Sequence, residues 1–430
     1  MTRSLCASLA AVYDTAPEAR VTLEGWIHRR RQLATVVFVV LRDRSGFAQV
    51  VVTEPAVREQ IVGLPEETVV RVTGRLVADA KAPGGVEVVE PEFVTLGAPA
   101  LPTPVELWRP TLGATLPTVL DHAALTWRHP ARQAVWKIAA ASLSGFRRHL
   151  DEAGFTEVAT PKIVDGSTES GANVFALDYF GTTAYLAQSP QLYKQMLTGV
   201  FERVYEVGPV FRAEPHDTTR HLNQYTSLDA EFGFIDSHRD VLAVLRDTLA
   251  AMVESIRSTA AVTALGIELP EVPQHIPVIH FAEALDIAGA APDEPDLAPE
   301  HERLLGKWAL ERFGSDFLAV EGYPAAKRPF YTHPQPGDPR WTNSFDLLFR
   351  GLELVTGGQR LHNHADYLAA LTARGDDPDR YPAYLEAMRH GMPPHGGFAI
   401  GLERWVSRLL EVDNVRWATL FPRDTHRLRP

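Results

Sequence analysis

EVGPVFRAEPHDTTRHLNQYTSLDAEFGFI, residues 206–235, predicts two β-strands joined by a polar loop rich in His, Thr and Arg. Arg212 and Glu214 lie two residues apart, so both project from one face of the first strand. Tyr225, Asp229 and Glu231 share a face of the return strand in the same way. Apolar neighbours indicate that the two strands are buried. A buried charge destabilises the fold by several kcal/mol unless it is paired with an opposite charge or binds a ligand. The hairpin therefore predicts a ligand site rather than a surface hairpin with ordinary ion pairs.

A second segment, HGGFAIGLERWVSRLLE (395–411), predicts a glycine-rich strand that leads into a helix. Its glycines allow the backbone to approach a ligand closely. Glu403 and Arg404 fall in the first turn of the helix. Alone this pattern is weak evidence for a ligand site, and the hairpin in the same chain strengthens it.

The rest of the chain predicts a small barrel followed by a mixed domain. Residues 20–97 contain five short Val-rich strands separated by glycines, a pattern that suits the OB-fold. The prolines of residues 98–125 predict a stiff, irregular linker. Beyond it, one apolar stripe predicts a long helix over residues 131–154, ending at Gly154, and another predicts a helix over 239–259.

Bulk composition narrows the class of protein. A length of 430 residues suits two or three domains. The net charge of −12 argues weakly against nucleic-acid binding, although His28 is followed by three arginines. The single cysteine, Cys6, excludes an internal disulfide and a cysteine metal cage, and it fits a reducing compartment. We expect no signal peptide and no membrane-spanning run, hence a cytoplasmic protein with no membrane partner.

Three segments together carry a family resemblance. The hairpin resembles motif 2 of class II aminoacyl-tRNA synthetases, and the glycine-rich strand with Arg404 resembles motif 3. GFTEVATPKIV (154–164), with Pro161 as its hallmark, resembles motif 1. Three motifs in the right order are highly specific, and the similarity runs from about residue 20 to LFPRD (420–424).

The resemblance implies an α+β fold in two main parts. An N-terminal OB-fold β-barrel, residues 1–97, would bind the anticodon, and residues 98–125 would form a Pro-rich linker or hinge. Residues 126–430 would form the class II catalytic domain, an antiparallel sheet flanked by helices. The motif 1 resemblance also implies a homodimer, with Pro161 near its interface.

The resemblance assigns ATP to the motif 2 and motif 3 segments. Arg212 would hold the α-phosphate, where bidentate hydrogen bonds stabilise developing charge, and Arg404 would lie along the γ-phosphate and adenine. In GLELVTGGQRLH (351–362), Glu353 would bind Mg²⁺ and Thr356 would assist it. Tyr225 would stack on the adenine. The other implied ATP contacts are Glu214, His221, Leu222 and Gly401.

The segment AQSPQLYKQM (187–196) predicts the amino acid. Lys194 and Arg360 would offer two cations to a side-chain carboxylate, which favours aspartate over neutral asparagine. Aspartyl enzymes resemble this chain at Lys194, and a lysyl enzyme would need acids at both positions. The other implied aspartate contacts are Ser189, Gln191 and Asp229 at the α-ammonium, Thr356, and Glu169 in a loop that would close over the substrate.

By the same resemblance, the barrel reads a single-stranded anticodon. Phe38 would stack on a base, Gln49 would read the central uridine, and Glu87 would add a contact. The chain resembles compact archaeal aspartyl enzymes, since no large domain is inserted between motifs 2 and 3. At the positions of a discriminating Trp and Lys it has His28 and Pro83, and proline has no side-chain donor. We therefore expect aspartate to be charged onto tRNA-Asp and tRNA-Asn, with a downstream amidotransferase.

Three alternatives remain open on the sequence. An asparaginyl-tRNA synthetase shares the architecture and differs in the amino acid that supports ATP–pyrophosphate exchange. A non-catalytic paralogue that binds tRNA usually loses a motif arginine, whereas Arg212, Arg360 and Arg404 are present. A tRNA-independent ligase would have no need for the N-terminal barrel with Phe38 and Gln49.

Overall fold

The computed structural model describes residues 3–166 and 173–429. The chain divides into two compact units, Met1–Val119 and Leu120–Pro430. Residues 96–115, all of them described, form neither helix nor strand, as their prolines predict. A short helix, α3 (Leu116–Asp121), crosses the boundary between the units.

The first unit is a closed β-barrel with a Val-rich interior. The strand order is β1-β2-β3-β4-β6-β5, and an additional pairing of β2 with β5 closes the barrel. Val37, Val39 and Leu41 are buried inside it, while the intervening Phe38 and Val40 are partly exposed, because successive strand residues point to opposite faces. The predicted OB-fold barrel is thereby confirmed. Its elements are β1 (Arg3–Ser4), α1 (Leu9–Thr15), β2 (Arg20–Gln32), β3 (Val37–Arg42), β4 (Phe47–Val52), α2 (Pro55–Val62), β5 (Val69–Ala78) and β6 (Val86–Thr95).

The second unit is built on an eight-stranded sheet with the order β13-β14-β17-β18-β19-β12-β11-β7. Its neighbours pair antiparallel except for β13 with β14 and β11 with β7. The predicted antiparallel catalytic sheet with flanking helices is confirmed. Its strands are β7 (Thr156–Glu157), β11 (Arg203–Phe211), β12 (Gln224–Gly233), β13 (Val278–His280), β14 (Phe317–Glu321), β17 (Ser344–Phe349), β18 (Leu352–Gln359) and β19 (His395–Gly401).

Helices and two small sheets complete this unit. The small sheets are formed by β8 (Ile163–Val164), β9 (Ala176–Tyr179) and β10 (Thr182–Leu186), and by β15 (Pro334–Gln335) and β16 (Asp338–Thr342). The helices are α4 (Ala123–Thr126), α5 (Pro130–Glu152), α6 (Gln191–Phe201), α7 (His238–Arg257), α8 (Ala260–Leu265), α9 (Phe281–Ala288), α10 (Pro299–Phe313), α11 (His364–Arg374), α12 (Pro382–Arg389) and α13 (Leu402–Leu409).

The main core lies between the sheet and the helices α5 and α7. The apolar stripes that predicted both helices are buried, and α5 ends before Gly154, whose φ of +79° needs a residue without a side chain. Gly145 lets the two helices approach, because a Cβ there would lie 2.7 Å from the Ala251 carbonyl oxygen. In the described ranges, 3–166 and 173–429, no helix has the length and apolar character needed to cross a bilayer.

Candidate active site and nucleic-acid face

A concave pocket opens where the hairpin β11–β12 meets β18 and the start of α13. All eight residues predicted to contact ATP line it: Arg212, Glu214, His221, Leu222, Tyr225, Glu353, Gly401 and Arg404. The geometry of the hairpin needs one correction. Because β11 ends at Phe211, Arg212 and Glu214 do not project from a strand face, and they lie in the irregular segment that follows it.

Cations and an aromatic ring dominate the pocket. The Arg212 guanidinium lies 5.6 Å from the centre of the Tyr225 ring and 3.9 Å from the Glu214 carboxylate. Across the pocket, Arg404 donates a hydrogen bond to the Glu353 carbonyl oxygen at 3.1 Å. Burial and the nearby Arg404 lower the pKa of His221, so its imidazole stays neutral at neutral pH. An aromatic ring and two guanidinium groups in one pocket suit a ligand with an aromatic base and several phosphates.

Glu403, at the base of this pocket, supports the aromatic platform. Its buried carboxylate accepts hydrogen bonds from the Thr226 backbone N–H at 3.1 and 3.0 Å, directly beside Tyr225. Burial raises the pKa of this carboxyl to about 7. The sequence placed Glu403 in the first turn of α13 without assigning it a contact.

Two carboxylates and a hydroxyl form the candidate metal site. Thr356 lies opposite Asp346 in the β17–β18 ladder, and the buried Asp346 carboxylate lies 2.8 Å from the Arg328 guanidinium. Burial and the nearby Glu353 raise the pKa of Asp346. No group of three or more His, Cys, Asp or Glu residues suited to a metal occurs in the described part of the chain. A pair of carboxylates fits Mg²⁺, which usually takes one or two protein carboxylates together with substrate phosphates.

The second predicted subsite is a buried charge cluster behind the pocket. Lys194 is only 2% exposed, so it is not a solvated helix residue. Its ammonium group lies 2.9 Å from the Asp229 carboxylate and 3.3 Å from that of Glu231. Arg360 lies 2.8 Å from Glu231 on the other side. Glu231 therefore sits between both predicted cations, and a substrate carboxylate would join a network in which they already have partners.

This charge cluster is connected to the nucleotide pocket through β12. The Ser227 side chain lines the pocket, and its hydroxyl donates a hydrogen bond of 2.6 Å to Asp229. At the start of α6 the Ser189 hydroxyl accepts from the Gln191 backbone N–H at 3.2 Å, and within residues 3–166 and 173–429 no group hydrogen-bonds the buried Gln191 side-chain nitrogen. Glu169, predicted to close over the substrate, lies outside the described residues.

The residues predicted to read an anticodon lie on neighbouring barrel strands. Phe38 is partly exposed on β3, and Gln49 of β4 pairs with Val40 of β3 and with Glu87 of β6. The Gln49 amide nitrogen donates a hydrogen bond to the Glu87 carboxylate at 2.8 Å. Pro83 lies exposed at the tip of the turn before β6.

Of the three arginines that follow His28, Arg30 is engaged by the barrel, whereas Arg29 and Arg31 are exposed. His28 is 7% exposed and packs on Phe47, with ring centres 4.9 Å apart. Arg30 donates two hydrogen bonds to the last carbonyl groups of α2, at 3.0 and 2.5 Å. Arg29 lies over the Trp108 ring at 4.2 Å. A run of charges in the sequence therefore does not say which of its members caps a helix.

Some described residues of the active-site region were not singled out from the sequence, among them Arg220, Asp346 and Glu302. Arg220 lines the nucleotide pocket, and the basic composition of its loop was the available signal. Asp346 was detectable as the one acid in the apolar strand SFDLLF (344–349). Glu302, on α10, hydrogen-bonds Arg220, and nothing in its helix distinguishes it from a surface glutamate.

Comparison with known families agrees with this arrangement. Residues 116–425 match the family described as tRNA synthetases class II (D, K and N). Residues 21–96 match the family described as OB-fold nucleic acid binding domain.

Proteins of known name are similar to this chain over nearly its full length. The chain is 48% identical to an Aspartate--tRNA(Asp/Asn) ligase of Thermus thermophilus, over 95% of this chain and 96% of the relative. It is 45% identical to a protein of the same name from Deinococcus radiodurans, over 95% of each chain. Among solved structures, an asparaginyl-tRNA synthetase from Pyrococcus horikoshii complexed with asparaginyl-adenylate is 31% identical, with a TM-score of 0.91 and full coverage of both chains.

Proposed function

Since the chain belongs to the class II tRNA synthetases of the D, K and N group, we propose that it activates L-aspartate with ATP and transfers it to tRNA-Asp and tRNA-Asn. The observation that carries this proposal is the buried pair of cations, Lys194 and Arg360, beside a pocket suited to a nucleotide. The relatives that match over nearly the full length are named Aspartate--tRNA(Asp/Asn) ligase.

In the first step an oxygen of the aspartate α-carboxylate forms a bond to the α-phosphorus of ATP. The bond from that phosphorus to the bridging oxygen breaks, and pyrophosphate leaves. Arg212 stabilises the charge that builds on the α-phosphate, Arg404 holds the departing pyrophosphate, and Tyr225 orients the adenine. Such chemistry depends mainly on positioning and charge stabilisation, and proton transfer is minor.

Glu353 and Asp346, with Thr356 beside them, are the residues that would hold Mg²⁺. Bound there, the ion would neutralise charge on the ATP phosphates. Among the described residues no protein group hydrogen-bonds the buried Oδ1 of Asp346, which supports a ligand at this position.

In the second step the terminal ribose hydroxyl of the tRNA attacks the carbonyl carbon of aspartyl-adenylate. An ester bond forms, the hydroxyl loses its proton, and AMP leaves. The OB-fold domain binds the anticodon, for which we propose Phe38 as the stacking platform and Gln49 and Glu87 as hydrogen-bonding groups.

The charges of the amino-acid subsite favour aspartate over asparagine. Asp229 and Glu231 balance Lys194 and Arg360, so a substrate carboxylate is favoured through direct hydrogen bonds from the two cations and not through an excess of positive charge. A neutral carboxamide would gain much less from two ammonium or guanidinium groups than a carboxylate would.

Several further properties belong to the same proposal. The names of the relatives support charging of both tRNAs, with His28 and Pro83 relaxing discrimination at the third anticodon base, and with an amidotransferase converting Asp-tRNA-Asn afterwards. We propose a homodimer with motif 1 and Pro161 near its interface. We also propose the cytoplasm as the compartment, because tRNA charging occurs there.

The decisive experiment is aspartylation of tRNA-Asp and tRNA-Asn transcripts side by side, with Asp and Asn as separate substrates. Aspartate on both tRNAs is the expected result. Asparagine as the better substrate would replace the proposal by the asparaginyl alternative. Aspartate on tRNA-Asp alone would keep the enzyme class and overturn the roles of His28 and Pro83.

A further inference from the structure

A buried glutamate from a distant helix is hydrogen-bonded to two parts of the nucleotide pocket at once. Glu302 lies in the first turn of α10 and is 2% exposed. Both of its carboxylate oxygens accept from Nη1 of Arg220, at 3.0 and 3.1 Å. Its Oε2 also accepts the backbone N–H of Glu353 at 2.8 Å. One carboxylate therefore joins the hairpin loop to the strand that carries the candidate metal ligand.

The helix that carries Glu302 is held tightly against that strand. A Cβ added to Gly306 would lie 2.5 Å from the backbone of Gly351, in the turn between β17 and β18. Only glycine permits this approach, and it brings the first turn of α10 within reach of Glu353. Backbone packing therefore fixes the main chain of Glu302 at a short distance from Glu353.

Arg220 needs such a partner because its loop has no regular structure. Residues 212–223 form neither helix nor strand, and all of them are described. The Arg220 side chain lines the nucleotide pocket and is partly exposed, so without an anchor it would sample many rotamers. A buried carboxylate that accepts two charge-assisted hydrogen bonds restricts it to one.

We propose that Glu302 is a positioning residue for the nucleotide, which holds the Arg220 guanidinium in the pocket for the ATP phosphates while it fixes the backbone at Glu353. This inference rests on the proposed function, because it assumes that the pocket binds ATP. Glu302 itself faces the protein interior and takes no part in bond formation. Its loss is expected to weaken ATP binding far more than aspartate binding.

The test compares Glu302→Gln with the wild type in ATP–pyrophosphate exchange and in direct calorimetric binding of ATP without aspartate. Glutamine keeps the shape and loses the charge. We expect the KM and the Kd for ATP to rise about tenfold, a change of the size associated with one hydrogen bond to a charged group, and the KM for aspartate to stay within about twofold. The matched control is Glu300→Gln, an exposed residue in the same turn of α10, which should behave as the wild type.

A double-mutant cycle separates positioning from a general structural role. In the Arg220→Gln background, the further change Glu302→Gln should alter the KM for ATP by less than about twofold, because glutamine keeps a side-chain oxygen that can accept the Glu353 N–H. Additive effects would overturn the proposal, as would a wild-type Kd for ATP in Glu302→Gln. If Glu302→Gln does not fold, the KM for ATP of the Arg220→Gln variant tests the proposal. A wild-type value in that variant overturns it. A wild type that binds ATP but shows no exchange with aspartate would refute the proposed function instead.

Discussion

At the scale of single residues, the active-site region depends on charges that are buried and paired. Lys194, Asp229, Glu231 and Arg360 form one cluster, and each member compensates another in an interior where an isolated charge is costly. The alternation of β12 predicted the two acids, and the motif around Lys194 predicted the lysine. Lys194 meets the two acids because α6 packs against β12, and Arg360 meets them because it follows β18, which β19 joins to β12.

Lys194→Gln is expected to affect both binding and stability. The variant leaves two carboxylates short of a cation, so the free energy of unfolding should fall by about 3–5 kcal/mol, as when one partner of a buried pair is removed. The KM for aspartate should rise at least about a hundredfold, whereas the Kd for ATP stays near the wild-type value. Urea unfolding and pyrophosphate exchange measure the two effects. Exposed Lys137→Gln is the control, and an unchanged KM for aspartate would contradict the assigned role.

The raised pKa of Glu403 predicts that the free energy of unfolding depends on pH. Its pKa is raised from 4.5 to about 7, so between these values the folded protein keeps a proton that the unfolded chain has released. The resulting stabilisation is complete below pH 4.5 and is lost as the pH rises to about 7. At about 1.4 kcal/mol per pKa unit, the loss is at most about 3 kcal/mol.

Glu403→Gln keeps an acceptor for the Thr226 N–H but does not titrate in this range. The unfolding free energy of the wild type should therefore decline relative to that of the variant between pH 4.5 and 7, in urea titrations at a series of pH values. Parallel pH profiles for the two proteins would show that the carboxyl is not held protonated.

At the scale of elements, the glycine-rich strand β19 permits close packing against the hairpin. A Cβ on Gly397 would lie far inside van der Waals contact with the Ala230 carbonyl oxygen and the Glu231 carboxylate, whereas a Cβ on Gly401 would find its nearest neighbour at 3.8 Å. Packing against β12 therefore requires glycine at position 397, whereas the protein leaves room for a Cβ at position 401.

Gly397→Ala should therefore be far more damaging than Gly401→Ala. We expect the first to cost about 1–3 kcal/mol or more of stability and to displace Glu231 from the cations, and the second to change stability by less than about 0.5 kcal/mol. Thermal or urea unfolding of both variants is the measurement. Equal losses would mean that β19 is not packed against β12 as described.

The barrel strands β3, β4 and β6 carry the residues that we propose to read the anticodon. Phe38→Ala should leave ATP–pyrophosphate exchange unchanged and raise the KM for tRNA, since stacking of one base is worth about 1–3 kcal/mol. Aminoacylation at varied tRNA concentration gives the result. Val94→Ala, an exposed apolar residue of the same barrel, is the control. A normal KM for tRNA in Phe38→Ala would remove the stacking role.

At the scale of the whole molecule, each unit has a hydrophobic core of its own. The barrel core and the core of the catalytic sheet share no residue. Two independent cores suggest that amino-acid activation and anticodon binding are separable.

A chain of residues 116–430, which keeps α3 intact, should therefore retain ATP–pyrophosphate exchange with aspartate at a similar rate. Its kcat/KM for aminoacylation should fall by about a hundredfold or more, because the stacking and edge contacts of the anticodon are absent. Exchange and aminoacylation are measured on the same preparation, next to the full chain. Unimpaired aminoacylation by the shortened chain would contradict an anticodon-binding role for the barrel.

The sequence by itself determined the features that depend on a single element or a contiguous motif. Alternation predicted the barrel and the hairpin, apolar stripes predicted α5 and α7, and every residue predicted to contact ATP lines one pocket. The tertiary structure alone decided which charges meet across elements. Arg30 caps α2 although its neighbours in the run do not, Glu231 lies between Lys194 and Arg360, and Glu302 reaches Arg220 from a separate helix. A periodic pattern specifies which face of an element is buried, whereas a hydrogen bond between elements depends on how closely their backbones pack.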